Sequence, residues 1–312
     1  MQKQTAYVLV VVGVLCLGGC ASTEKAPQEV RYTVHKDLRY GPHERHVLDL
    51  SVPNSGEPEG LILFIHGGIW LMGDKDMQPT FLDTFRDSFC VASMNHRYID
   101  ETTHIPDLID DMAAAVSAVK EFCLQQGREP KNLITIGHSS GGHLALLYAY
   151  QHAETSALPV AFCVSMAGPT DLGDIAFLYS FKKLGCLKLF YEVGEKATGY
   201  HIVDGDVTDR GYSETGRQVL AAVSPLSFVS EHSPPTIIVH DTADTIVPYS
   251  NSASLHHVLN IYGVAHDFIA LYSGIGHVLG AKAGKGGALR YDKAVESYLV
   301  AAMQDYNAQY CK

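Results

Sequence analysis

The sequence predicts an α/β fold, a mostly parallel sheet flanked by helices with a cap insertion, and three observations carry that expectation. Five short runs, at 60–66, 89–93, 133–137, 160–165 and 236–240, are continuously apolar. Such runs mark central strands covered on both faces. Helical spacing fills the interval after Pro106, where Ile109, Met112, Ala113, Val116, Val119 and Cys123 recur three or four residues apart. Finally, Gly137-His138-Ser139-Ser140-Gly141-Gly142 joins one apolar run to an alanine- and leucine-rich stretch. Strand, sharp turn and helix are expected there in succession. Alternation of this kind to the C-terminus predicts one doubly wound domain over 31–312.

In chain order, residues 1–20 carry one early positive charge, Lys3, then an apolar run to Leu17 that is short for a membrane span and reads as an export signal. Residues 21–30 are a polar tether. Alternating apolar positions at 31–35 and 46–52 predict half-buried antiparallel strands at the sheet edge. The segment 174–224 breaks the alternation with aromatic and leucine-rich sequence followed by a glycine-rich polar stretch. It is read as a cap over the site. A helix from about Ser250, a strand over 267–271 and a closing helix over 291–303 complete the fold.

G-x-S-x-G at a strand-to-helix turn is the pattern of a nucleophile elbow, and it selects Ser139. Ser140 is the rival, but His138 would then crowd the turn, so Ser140 is assigned a backbone N–H role. A serine hydroxyl needs a base, and the base an orienting acid. Asp244 lies in the loop after an apolar run, at the strand end where catalytic groups gather in such sheets, and is read as the acid. Asp241 is its competitor, nearer the strand. His277 follows the next strand in a loop with two glycines and is read as the general base. Gly68 and Ile69, directly after the first central run, are the expected oxyanion donors beside the amide of Ser140.

His66-Gly67-Gly68-Ile69-Trp70 with Gly73-Asp74-Lys75, followed by Gly137-His-Ser-Ser-Gly-Gly-His143, resembles the α/β-hydrolase serine esterases of the H-G-G-x-W carboxylesterase type. That group includes bacterial feruloyl and acetyl-xylan esterases and kynurenine formamidases. The resemblance spans about residues 45–303. It implies a hydrolase that cleaves short-chain acyl, acetyl or feruloyl esters through an acyl-enzyme, with Ser139 as nucleophile, Asp244 as acid and His277 as base. An arylformamidase or peptidase with the same triad, or a non-catalytic binding protein on the same fold, are the alternatives. Two departures stand out: Asp241 occupies a place where glycine is frequent, and Asn95-His96-Arg97-Tyr98 replaces a tyrosine-arginine form. Leu17-Gly18-Gly19-Cys20 resembles the bacterial lipobox. That implies a lipid on Cys20 and anchoring in the bacterial cell envelope, at the outer membrane rather than the inner, since no Asp follows the cysteine at the second position.

A formal charge of −11, with no basic run longer than Lys182-Lys183, argues against a nucleic-acid partner. No H-E-x-x-H, paired-cysteine or phosphate-loop pattern occurs, so no metal and no cofactor are expected. Besides Cys16 and Cys20 the chain has five cysteines, of which Cys90 and Cys163 lie in apolar runs and read as buried thiols.

Overall fold

The computed structural model describes residues 31–201, 207–208 and 211–311. The expected signal and tether, Cys20 among them, lie outside the described residues. Eight strands form the main sheet: β1 Tyr32–Arg39, β2 Val47–Pro53, β3 Leu61–Ile65, β4 Cys90–Met94, β5 Leu133–His138, β6 Val160–Met166, β9 Thr236–Asp241 and β10 His266–Leu271. Their order is β1-β2-β4-β3-β5-β6-β9-β10. The β1/β2 and β2/β4 pairs are antiparallel and the others parallel. The main helices are α1 Ile105–Gln125, α2 Ser140–Gln151, α3 Ile175–Lys183, α4 Leu187–Thr198, α5 Glu214–Ala221, α6 Tyr249–Tyr262 and α7 Lys293–Tyr310. Two-residue pairs β7 Val207–Thr208 with β8 Gly211–Tyr212, and β11 Lys282–Ala283 with β12 Leu289–Arg290, sit outside this sheet.

The continuous apolar runs follow from a sheet packed on both faces. In β3, Leu61, Leu63 and Ile65 join a core with α1 and Leu144 and Leu147 of α2, whereas Ile62 and Phe64 point the other way, into a core with α7. Each fully buried leucine or phenylalanine contributes about 2 kcal/mol of transfer free energy, so both halves of the strand must be apolar. Helix α1 starts with Pro106 in its first turn, and Asp107 Oδ2 accepts from the His104 N–H at 2.8 Å. Its buried stripe is the expected one with Ala115 deeper than Ala113.

The burial of one strand and the bounds of two elements differ from the sequence reading. Strand β2 is not half-buried: Asp49 and Ser51 on its polar face are enclosed too. Asp49 accepts from Lys75 Nζ at 3.1 Å and from Lys36 Nζ at 2.5 Å, while Ser51 Oγ donates to the Val91 carbonyl at 3.2 Å, so the polar face is buried with its partners. Strand β1 runs on to Arg39 through an irregularity between His35 and Leu38, where Asp37 has φ 53°. Helix α7 begins two residues later than expected and continues to Tyr310, because Asp292 caps it and Tyr306 packs on Phe162.

Candidate active site

Four loops converge at the C-terminal ends of the parallel strands: 66–73 after β3, 138–142 after β5, 241–247 after β9 and 272–280 after β10. Ser139 sits between β5 and α2 with φ 56° and ψ −125°, a conformation that a side chain adopts only when its surroundings impose it. The surroundings are tight. A Cβ on Gly141 would lie 2.1 Å from the Ile65 carbonyl oxygen, so only glycine lets the turn approach β3.

The three side chains read as acid, base and nucleophile meet in space. Ser139 Oγ lies 2.8 Å from His277 Nε2, and His277 Nδ1 lies 2.8 Å from Asp244 Oδ2. With the imidazole proton on Nδ1, that nitrogen donates to the carboxylate and Nε2 accepts from the serine hydroxyl. Asp244 Oδ1 accepts from the amides of Ile246 and Val247 at 2.9 and 3.0 Å. Burial alone would raise the Asp244 carboxyl, but hydrogen bonds from His240 and His277 outweigh it and hold it well below the usual range. Asp241 is turned elsewhere. It accepts from Ser273 Oγ at 2.9 Å and from the amides of Ala243 and Ile275, bracing the loop that carries His277.

The 66–73 loop holds Gly68 at φ 127°, Ile69 at 49° and Trp70 at 60°, three consecutive positive values. For a β-branched isoleucine this is strain. Among the described hydrogen bonds the amides of Gly68, Ile69 and Ser140 donate to no protein acceptor. The Ser140 amide opens α2, where the helix dipole adds positive potential. Several groups fix this loop from behind. Arg45 donates to the Gly73 carbonyl at 3.2 Å and lies 3.8 Å over the Tyr98 ring, and Tyr98 Oη donates to the same carbonyl at 2.6 Å. His66 stacks on His96 with 4.4 Å between centroids. The Asn95–Tyr98 departure thus acts as a support for the loop.

Two histidines were legible only as residues of a motif or a strand. His138 Nε2 donates to the His277 carbonyl at 2.9 Å, and burial, then the nearby His277, push its pKa down to about 4. His240, near the end of β9, meets Asp244 at Oδ2, the same oxygen that His277 reaches. Nothing in their spacing distinguishes them from ordinary core residues. Contact across the fold does.

Beside Ser139 lies a cleft of about 550 Å³, open solvent included, lined by Ile69, Trp70, Phe177, Phe181, Leu220 and Val247 among others. Among the described residues no charged side chain lines it. Helices α3, α4 and α5 supply its far wall. Ser180 Oγ donates to the Ile246 carbonyl at 2.8 Å, and Asp174 Oδ2 accepts from Ser250 Oγ and Asn251 Nδ2 at 2.6 and 2.8 Å, so the 174–224 segment is pinned to the acid loop and to α6. Cys90 and Cys163 are buried thiols, and Cys90 Sγ lies 3.5 Å from Cys123 Sγ. Among the described residues no group of three or more His, Cys, Asp or Glu side chains could hold a metal ion.

A mostly parallel sheet with its sharp Ser139 turn, and the loops gathered around that turn, define an α/β-hydrolase. A family profile, BD-FAE, matches residues 48–259, and the chain belongs to that family. Among curated proteins it is similar to a probable isoprenylcysteine alpha-carbonyl methylesterase of Arabidopsis thaliana, at 24% identity over 78% of this chain and 51% of the relative. Esterase LipQ of Mycobacterium tuberculosis is 25% identical over 73% of this chain and 53% of its own length. The chain therefore spans about half the length of these curated relatives. Solved structures share the fold. A truncated carbohydrate esterase from gut microbiota superposes with a TM-score of 0.65 at 21% identity, covering 91% of this chain and 100% of that one. Esterase B from Lactobacillus rhamnosis gives 0.68 at 15% identity, covering 92% and 89%.

Proposed function

We propose that the protein hydrolyses carboxylic esters through an acyl-enzyme on Ser139. The observation that carries this reading is the unbroken chain Ser139–His277–Asp244, set at a strained turn beside three uncommitted amides. Ser139 Oγ attacks the ester carbonyl carbon while its proton passes to His277 Nε2. The amides of Gly68, Ile69 and Ser140 face the oxyanion, a type of contact worth about a hundredfold or more in rate for each donor. The carbon–oxygen bond to the alcohol then breaks, and His277 returns the proton to the leaving oxygen. Water repeats the sequence on the acyl-enzyme, releasing the acid and restoring the serine. Asp244 holds the imidazole in its tautomer and stabilises its cation.

The apolar cleft beside Ser139 suits an uncharged acyl group. A cleft walled by Phe177 and Phe181 suits short or compact acyl groups rather than long chains, in line with the acetyl or feruloyl esters that the sequence resemblance implies. The esterase names of the curated relatives support ester hydrolysis in general. Hydrolysis of p-nitrophenyl esters from acetyl to palmitoyl tests this. Turnover of short chains is expected, falling towards palmitoyl, with Ser139→Ala slower by about 10⁴-fold or more. Turnover unchanged in Ser139→Ala, or absent for every chain length, would overturn the reading.

A further inference from the structure

Asp244 is bonded to two histidines, and only one of them faces the serine. His240 is fully buried, so it cannot touch a substrate, yet its Nε2 lies 3.0 Å from Asp244 Oδ2, the same oxygen that His277 reaches at 2.8 Å. The Val247 carbonyl lies 2.9 Å from that nitrogen as well. Two acceptors facing Nε2 fix a proton on it. Its Nδ1 is engaged at 2.6 Å by Ser252 Oγ of α6, itself fully buried. Both ring nitrogens are committed, so the ring cannot flip without breaking every one of these bonds. Around the pair stand Asp244 and His277 from the two loops, His138 from the end of β5, and the Tyr249 ring of α6 at 6.0 Å from the His240 ring.

We propose that His240 is a positioning residue for ester hydrolysis: its Nε2–H fixes Oδ2 of Asp244 and takes up part of the carboxylate charge, setting how strongly that carboxylate acts on His277. The inference rests on the esterase reading. A second donor on one carboxylate oxygen lowers its basicity, so less of its charge is left to favour the imidazolium. The two amides on Oδ1 would keep Asp244 seated if His240 were lost. The change should therefore fall on Oδ2, where His277 is bonded, and not on the fold of the loop.

His240→Leu, His240→Gln and Ser252→Ala test this through pH profiles of kcat and kcat/KM on the best p-nitrophenyl ester. In His240→Leu, kcat should fall about 10- to 100-fold with KM little changed, and the acid limb of kcat/KM should move up by about half to one pH unit. His240→Gln should stay within a few-fold of wild type with its limb in place, because the glutamine amide reaches the same two acceptors. Equal losses in the Leu and Gln variants with the limb unmoved would overturn the proposal, as would a Leu variant identical to wild type. If His240→Leu does not fold, Ser252→Ala, which only loosens the ring, should move the same limb upward by less, and an unmoved limb would overturn it. A wild type without Ser139-dependent turnover overturns the esterase reading and this one together; an active wild type with non-conforming variants overturns this one alone.

Discussion

Two histidine–aspartate contacts of similar length, His277–Asp244 and His46–Asp111, stand in different surroundings. His277 Nδ1 meets Asp244 at 2.8 Å, and His46 Nε2 meets Asp111 at 3.0 Å. In the second pair the remaining ring nitrogen accepts from the amide of His43, and Asp111 is also gripped by Arg97 through Nε, the terminal nitrogen and the backbone amide. A guanidinium on the carboxylate cancels its charge, and the pair ties the segment just before β2 to α1. Asp244 has no arginine or lysine partner among the described residues; histidines and amides hold it. Its charge stays available to His277, whose free nitrogen meets a serine hydroxyl at the edge of a cleft. A histidine–aspartate contact is thus a structural clamp or a proton relay according to what occupies its two ends.

The sharpest way to break this comparison is to neutralise each carboxylate in turn. Asp244→Asn should lower kcat by about 10³- to 10⁴-fold by favouring the wrong imidazole tautomer. Asp111→Asn should leave kcat within about threefold but lower unfolding free energy by about 3 kcal/mol, because Arg97 then faces an uncharged amide. Steady-state rates and denaturant titrations on both variants check this, and equal activity losses would erase the distinction.

The next test is stability against pH. Burial pushes the pKa of His66, His138 and His143 down to about 4, against an ordinary value near 6.5. Between those values the unfolded chain binds protons that the folded chain refuses, so stability should fall as pH drops from about 6.5 to 4. The slope is on the order of 1 kcal/mol per pH unit for each histidine. Asp244 adds nothing in that window: its depressed carboxyl contributes stability above its ordinary value, 3.8, and loses it only as the pH falls further. Denaturant midpoints at pH 7, 6 and 5 report the slope, and a flat profile would mean that these histidines are charged in the fold. The smallest effect is expected for Asp241→Asn. Two of its acceptor contacts run to loop amides and one to Ser273, so kcat should drop by no more than about tenfold. A loss as large as that of Asp244→Asn would reassign the acid.

Much of the fold was legible because the dominant signal is burial. Strands at 60–66, 133–137 and 236–240 are apolar on both faces for the reason that helices cover both faces, and local sequence records that directly. The reading failed at β2, where Asp49 and Ser51 are buried through partners at Lys75, Lys36 and Val91, far away in the chain. The turn at Ser139 and the glycines of the 66–73 loop were legible because steric limits on a backbone act within a few residues. His138 and Arg45 were not, since their partners lie far away in the chain, and His240 was not because its contacts with Asp244, Val247 and Ser252, though near in sequence, depend on how the loop after β9 turns back on the strand.

By itself the sequence determined the order of strands and helices, the position of the strained serine and the short set of residues able to supply an acid and a base. These are consequences of local sterics and of hydrophobic periodicity. Only the tertiary structure decided which carboxylate faces His277, that a second histidine shares it, and that α3, α4 and α5 close an apolar cleft beside Ser139. Asp241 and Asp244 are three residues apart in one loop and chemically identical. The donors each one meets, set by where the loops after the neighbouring strands β9 and β10 come together, separate them.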